Sequence, residues 1–116
     1  MQLIGYKNCG TCKNAKKYLI QKGFDFDYRE ITENPLTIEE ITKVYEKSGI
    51  PIQKFLNTSG AVYRELKMKD QMKKLKVEEI IHLLAENPML IKRPILIHEN
   101  EIRVGFKEEA WESLHQ

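Results

Sequence analysis

The sequence predicts an α/β fold, and three observations support this prediction. The first is a strand-helix-strand pattern at 2–6, 11–22 and 24–28, which predicts a βαβ unit with two parallel strands. The second is a helical centre at about 37–86, where apolar residues recur at helical spacing. The third is a hairpin pattern at 95–104, followed by a terminal helix. The predicted order is therefore β-α-β, several helices, then β-β-α.

The opening βαβ unit is predicted from the spacing of its apolar residues. Gln2–Tyr6 is a short, mostly apolar run of the kind found in buried strands. Ala15 and Leu19 then share a helical face with Cys12. Residues 24–28 alternate between aromatic and acidic side chains, so we expect a half-buried second strand there.

The helical centre carries clear start and stop signals. Thr37 and Glu40 have the spacing of a capping box, in which each side chain bonds the other residue's backbone N–H. Gly49 ends this helix, and Pro51 suits the first turn of a short helix after it. Two further helices are predicted, one through Met68, Met72 and Leu75 and one over Val77–Ala85.

The last part of the chain returns to strands. Ile95–His98 and Ile102–Val104 flank the polar residues 99–101, and this pattern predicts a β-hairpin. We expect residues 107–114 to form a terminal helix that buries Ala110 and Trp111.

Length and composition predict one domain with a substantial core, because the chain has 116 residues, 41% of them hydrophobic and 31% charged. The net charge of +2, from 19 basic and 17 acidic residues, is too balanced to indicate nucleic-acid binding. No apolar run approaches the roughly 18 residues of a membrane helix. Because no secretory signal precedes the first strand, we expect a cytoplasmic protein.

Both cysteines lie in one motif, Cys9-Gly10-Thr11-Cys12, where the first strand leads into the first helix. The first N–H groups of a helix have no intrahelical partner, so they stabilise an anion such as a thiolate. The charges of Lys7 and Lys13 should act in the same direction. We therefore predict that Cys9 is an exposed nucleophile and that Cys12, one turn inside the helix, is a shielded resolving thiol.

Two other interpretations of this cysteine pair remain. One is that both are ordinary buried thiols without chemistry. The other is a zinc site, but zinc needs about four ligands, and the sequence has no second C-x-x-C and no pair of histidines at ligand spacing. In a cytoplasmic protein the C-x-x-C spacing favours redox chemistry over a structural disulfide.

Three stretches in the same order make the sequence resemble the arsenate reductase (ArsC)/Spx family. They are Tyr6-x-x-Cys9-x-x-Cys12, then Phe55–Gly60 with Tyr63–Leu66, and finally Asn87-Pro88 through Lys92–Ile95 to Val104–Phe106. The resemblance covers nearly the whole chain. It implies a thioredoxin-like (glutaredoxin-like) fold, with a mixed four-stranded sheet and an ArsC-type helical insertion at about 37–86.

The resemblance also implies roles for residues outside the cysteine motif. Pro94 would be a cis-proline facing the thiols, and Arg93 would point at the Cys9 sulfur. A guanidinium there would favour the thiolate and hold an oxyanion or a mixed disulfide. The residues predicted to shape the site are Gly10, Thr11, Pro94 and Asn57. Considered alone, Arg93 could be a surface residue, Pro94 a trans proline, and residues 57–59 an ordinary turn.

Three functions follow from the resemblance. The first is a thiol–disulfide oxidoreductase, reduced by glutathione, glutaredoxin or thioredoxin and needing no metal or tightly bound cofactor. The second is a glutaredoxin-dependent arsenate reductase, an enzyme that uses one essential cysteine and three arginines. Here only Arg93 is present, and the other two arginine positions fall on Gln53 and Gly105. The third is an Spx-like regulator, in which the C-x-x-C disulfide switches binding to the RNA polymerase α subunit. We predict the first.

Overall fold

The computed structural model describes residues 1–115, which divide into two compact units. The first unit contains residues 1–34 and those from 93 onward, and the second contains Pro35–Lys92. Every helix within residues 1–115 falls short of the length and apolarity that crossing a membrane requires.

The order of elements along the chain agrees with the predicted one. The elements are β1 (Gln2–Gly5), α1 (Gly10–Gln21), β2 (Asp27–Glu30), α2 (Ile38–Ser48), α3 (Ala61–Glu65), α4 (Met68–Gln71), α5 (Val77–Glu86), β3 (Ile95–His98), β4 (Glu101–Val104) and α6 (Glu108–Trp111). Short 3₁₀ helices lie at Ile52–Phe55 and Pro88–Leu90.

The first unit is built on a mixed four-stranded sheet with the strand order β2-β1-β3-β4. β1 runs parallel to β2 and antiparallel to β3, and β3 pairs antiparallel with β4 through the predicted hairpin. In the parallel pair, Leu3 lies opposite Tyr28 and Gly5 lies opposite Glu30. The predicted α/β class with a mixed four-stranded sheet is therefore confirmed.

The second strand is displaced from its predicted position. It begins at Asp27 rather than at Phe24, because the backbone of Phe24 still belongs to the end of α1, where its N–H donates to the Leu19 carbonyl at 3.0 Å. Pairing begins when the Asp27 N–H donates to the Met1 carbonyl at 2.9 Å. Phe24 and Phe26 nevertheless pack against the core, as the alternation predicted.

An aromatic cluster helps to form the core of the first unit. Trp111, only 1% exposed, meets the ring of Phe106 edge-on at 4.8 Å between centroids, and its indole N–H donates to the Gly105 carbonyl at 3.2 Å. Tyr18 of α1 packs against both rings. The expectation that Ala110 is buried is wrong: it is exposed, because the short helix α6 turns only Trp111 inward.

The second unit is helical. Thr37 and Glu40 form the predicted capping box at the start of α2, with N–H to oxygen distances of 3.1 and 3.0 Å, and Gly49 ends the helix in the left-handed conformation with φ 66°. A single bridge between Leu56 and Ile91 closes the unit near the 3₁₀ helices. The single helix predicted through Met68 and Leu75 is instead the short helix α4 followed by a turn, although Met68 is fully buried as expected.

Candidate active site

Cys9 is the N-cap residue of α1. Its backbone is extended, with φ −101° and ψ 114°, and its carbonyl accepts the Lys13 N–H at 3.2 Å. Its Sγ accepts the backbone N–H of Cys12 at 3.3 Å, so the sulfur occupies the place of the usual cap oxygen. The side chain is only partly buried. The Cys9 sulfur therefore faces a backbone N–H of the helix start in a residue that remains partly exposed.

Cys12 lies in a contrasting environment, with only 2% of its surface exposed. Burial is the main cause that raises the pKa of the Cys12 thiol to about 12, followed by its side-chain hydrogen bond to Cys9. A backbone hydrogen bond from Tyr6 and the charge of Arg93 act in the opposite direction. Cys12 is therefore a protonated thiol at neutral pH, and it lies beside the groups that can stabilise its anion.

Arg93 and Pro94 lie in the same unit as the two cysteines. The Arg93–Pro94 peptide bond is cis, as the family resemblance implies, and Pro94 is buried immediately before β3. The guanidinium carbon of Arg93 lies 5.1 Å from the centroid of the Tyr6 ring, a cation–π contact. Arg93 thus stacks on the residue whose backbone bonds Cys12, and its charge lowers the pKa of that thiol.

The remaining predicted site residues differ in their surroundings. Gly10 and Thr11 are exposed on the first turn of α1, and a Cβ on Gly10 would meet no atom within 4 Å. Asn57 belongs to the second unit, where its N–H donates to the Leu90 carbonyl at 2.7 Å and its carbonyl accepts the Gly60 N–H. Its side-chain amide lies against Gly60, so these contacts are those of a local turn, and a role for Asn57 in the site stays a prediction.

Sequence reasoning missed a group on β2 that approaches Cys12. A Cβ on Gly5 would lie 3.2 Å from both Cys12 Cβ and the Tyr28 hydroxyl, so both side chains lie against this glycine. Partial burial, and then the hydrogen bond that Tyr28 donates to Glu30 at 3.1 Å, raise the pKa of Tyr28 to about 12. The only signal in the sequence is the small residue Gly5 just before the cysteine motif.

Glu30 completes this group. Burial acts against its ionisation, but hydrogen bonds from Thr32, Tyr28 and the backbone of Lys7 outweigh it and lower the pKa of the Glu30 carboxyl. The Thr32 hydroxyl bond is 2.7 Å long. Tyr28 therefore donates to a carboxylate whose position is already fixed.

Gly105, which the family resemblance places at one of the two missing arginine positions, has a backbone reason to be glycine. Its φ is 78°, in the left-handed region where a side chain is strained. Its N–H donates to the Pro94 carbonyl at 2.8 Å, which fixes the loop that follows β4. Within residues 1–115 no cluster of three or more His, Cys, Asp or Glu side chains is arranged to hold a metal ion.

Comparisons with known proteins agree with this geometry. The chain is 44% identical to the protein YusI of Bacillus subtilis over 107 residues, which are 92% of this chain and 91% of that one. It is 30% identical to the global transcriptional regulator Spx of Enterococcus faecalis, over 88% of this chain and 76% of the regulator. The crystal structure of an ArsC family related protein from Bacteroides fragilis superposes with a TM-score of 0.92 at 42% identity, covering 96% of this chain and 93% of that one.

These similarities extend over nearly the whole chain rather than over one local motif. The fold is thioredoxin-like, with the sheet and helix order already described. The sequence pattern of the ArsC family matches residues 4–114 of this chain. This chain therefore belongs to the ArsC family.

Proposed function

We propose that this protein is a thiol–disulfide oxidoreductase in which Cys9 attacks and Cys12 resolves. The observation that carries the proposal is the contrast between the two sulfurs. The Cys9 sulfur accepts a backbone N–H at the start of α1 and its residue is only partly buried, whereas Cys12 is buried and its pKa is raised to about 12. A two-step exchange needs one nucleophilic thiolate and one resolving thiol.

In the first step the Cys9 thiolate attacks one sulfur of a substrate disulfide. An S–S bond forms between Cys9 and that sulfur, the substrate S–S bond breaks, and the second substrate sulfur leaves as a thiolate that takes a proton from water. In the second step Cys12 attacks the Cys9 sulfur, and its proton passes to the departing substrate thiolate. Cys9 and Cys12 together lose two electrons, and the substrate disulfide gains them to become two thiols.

Arg93 supports the second step. Its charge favours the Cys12 anion, and it is held over the Tyr6 ring beside the backbone bond from Tyr6 to Cys12. The resulting Cys9–Cys12 disulfide is then reduced by a thiol reductant such as glutathione, glutaredoxin or thioredoxin, which restores the starting state. This cycle uses no metal and no tightly bound cofactor, and we place it in the cytoplasm.

Trapping experiments test the roles of the two cysteines. Cys12→Ser should react with a small aromatic disulfide and stop as a stable mixed disulfide on Cys9, because no resolving thiol remains. Cys9→Ser should react at least about a hundredfold more slowly, because only a buried, protonated thiol is left. The mass of the intact protein after reaction distinguishes the two outcomes. Faster labelling of Cys12 than of Cys9 would reverse the assignment, and no labelling of either would end the proposal.

A second candidate is a redox-switched regulator that binds RNA polymerase. The observation in its favour is the 30% identity to the Enterococcus faecalis regulator Spx over 88% of this chain. It is tested by a pull-down with the RNA polymerase α subunit, using oxidised and reduced protein, with Cys9→Ser as a control locked in the reduced state. Binding that changes with the redox state would support it, and no binding in either state would remove it.

Arsenate reduction is the third candidate, and it is supported by membership of the ArsC family. The loop at Gly105 counts against it, because φ 78° disfavours an arginine at that position. An NADPH-coupled assay with glutaredoxin as the electron donor and arsenate as substrate tests it directly. Turnover that depends on arsenate and disappears in Cys9→Ser would support this activity.

A further inference from the structure

The outer face of α1 combines positive charge with an exposed apolar side chain. Lys13, Lys16, Lys17 and Ile20 follow each other at the i, i+3, i+4 and i+7 positions, so they share one face of the helix. All four side chains are exposed, and 61% of the Ile20 surface is accessible. We call these four residues the α1 face. Lys13 lies four residues after Cys9, and its N–H bonds the Cys9 carbonyl, so the α1 face begins one helical turn from the Cys9 side of the helix.

The charged side chains of the first 24 residues, which include the α1 face, all have one sign. Residues 1–24 contain lysines and no acidic residue, although basic and acidic residues nearly balance in the chain as a whole, 19 against 17. The lysines of residues 67–76 differ, because Asp70 lies among them and Glu78 and Glu79 follow. α1 itself therefore carries only positive charge, although Glu30 of β2 accepts a hydrogen bond from the hydroxyl of the Tyr28 ring on which Lys16 lies. The second cluster therefore provides a matched control.

Contacts within the first unit hold part of this face in place. The Lys16 ammonium lies 4.7 Å from the centroid of the Tyr28 ring, the same tyrosine that approaches Cys12 over Gly5. From Cys12 to Ile20 the helix rises by about 12 Å. The α1 face is thus long enough to contact several residues of an extended segment bound along it.

We propose that the α1 face docks an acidic polypeptide segment next to the disulfide that Cys9 attacks. The three lysines pair with carboxylates of the partner, and Ile20 contacts an apolar side chain beyond them. The proposal rests on the proposed oxidoreductase function and adds the class of substrate: a protein or peptide disulfide flanked by acidic residues. Charge complementarity of this kind mainly accelerates association, by about tenfold to a thousandfold, and the effect falls with ionic strength.

Two synthetic peptides test this docking. They carry the same disulfide, flanked by glutamates in one and by glutamines in the other, and their reduction rates are compared at about 20 mM and about 500 mM salt. The wild type should reduce the glutamate peptide about tenfold faster at low salt, and this preference should shrink to about twofold at high salt. Lys16→Glu combined with Lys17→Glu should abolish the preference. Lys73→Glu combined with Lys74→Glu, with the same change in net charge, should retain it.

Several outcomes would overturn the docking proposal. Equal rates for the two peptides in the wild type would do so, and so would an equal loss in both double variants, which would indicate bulk charge alone. If the Lys16 variant disturbs Tyr28, then Lys17→Glu alone should still lower the preference about threefold, and an unchanged preference would contradict the proposal. Ile20→Ser should weaken binding at both salt concentrations, because its contribution is apolar.

The test also separates docking from the thiol chemistry. Reduction of the glutamine peptide reports on the oxidoreductase function without the acidic flanks. If neither peptide is reduced, that function fails, and docking is still measured by the fluorescence anisotropy of a glutamate peptide with serines in place of its cysteines. Binding that is lost in the Lys16, Lys17 double variant would support the α1 face. Tighter binding of a single-stranded DNA oligomer than of the glutamate peptide would assign the face to nucleic acid and overturn the proposal.

Discussion

Cys9 and Cys12 are three residues apart on the same helix, and their environments are opposite. Cys9 is the N-cap residue; its sulfur accepts a backbone N–H, and the residue is only partly buried. Cys12 is on the inner face of the first turn, 2% exposed and packed near Gly5 of β1. The same residue type is therefore a candidate nucleophile at position 9 and a protonated thiol at position 12.

The difference shows how one helix start can prepare two thiols for different steps. The start of the helix supplies an N–H donor to the first sulfur, and the buried face of the helix keeps water away from the second. Groups from the rest of the unit then adjust the second thiol, namely Arg93 and the backbone of Tyr6. The contrast between the two cysteines is thus partly a local property of the helix and partly a property of the residues next to the central strands β1 and β3.

The largest expected effect comes from titrating the buried thiol. The folded-state pKa of Cys12, about 12, lies above the ordinary 9.0, so its contribution to stability is complete below pH 9.0 and is lost as the pH rises toward about 12. Relative to Cys12→Ala, the reduced wild type should lose about 2 kcal/mol of unfolding free energy between about pH 8 and about pH 10.5.

Urea denaturation at a series of pH values measures this loss. The oxidised wild type is a second control, because it has no free Cys12 thiol to titrate and should lack this loss. Parallel pH curves for the reduced wild type and Cys12→Ala would mean that Cys12 is solvated, and the contrast between the cysteines would then disappear.

A smaller effect is expected from crowding Cys12 through Gly5. The Cβ of Gly5→Ala would lie 3.2 Å from Cys12 Cβ, which is tied to α1, and 3.2 Å from Tyr28. We expect a destabilisation of about 1 kcal/mol and faster alkylation of Cys12 as the helix moves away. Gly10→Ala is the matched control, because a Cβ there meets nothing within 4 Å and alanine favours the helix. If both variants are equally stable, close packing over Gly5 does not position Cys12.

The sequence was sufficient for those parts of this site that depend on neighbouring residues. The helix start at Cys9 and the burial of Cys12 follow from helical spacing within a few residues, and the capping box at Thr37 follows from two side chains three positions apart. The start of β2 was wrong by three residues, because the alternation of residues 24–28 says which side chains are buried but not where backbone pairing begins.

Other parts depend on contacts that no local pattern specifies. Arg93 is some eighty residues from Cys12 in sequence, and only the family resemblance placed it near the thiols. The strand register places Leu3 opposite Tyr28. Because Gly5 has no side chain, Tyr28 and Cys12 can both lie against it. Strand register is set by pairing and packing over the whole sheet, so the Tyr28–Glu30 group could not be identified before the structure.

The smallest expected effect tests what Arg93, just before the central strand β3, contributes to Cys12. Arg93→Ala removes a charge that lowers the pKa of the Cys12 thiol, so closure of the disulfide from a Cys9 mixed disulfide should slow about threefold at neutral pH. The release of thionitrobenzoate from the mixed disulfide measures this step. Arg93→Lys should restore part of the rate, because it keeps the charge but loses the planar contact with Tyr6.

Arg103→Ala is the control for Arg93, because this arginine of β4 donates to the Ala110 carbonyl and the Ser113 hydroxyl instead. It should leave the closure rate unchanged. An equal rate in Arg93→Ala and the wild type would show that burial and the bond from Tyr6 alone set the reactivity of Cys12. The helix and the backbone would then set the pKa of the resolving thiol Cys12. Arg93 would serve substrate binding or packing on Tyr6 rather than the resolving step.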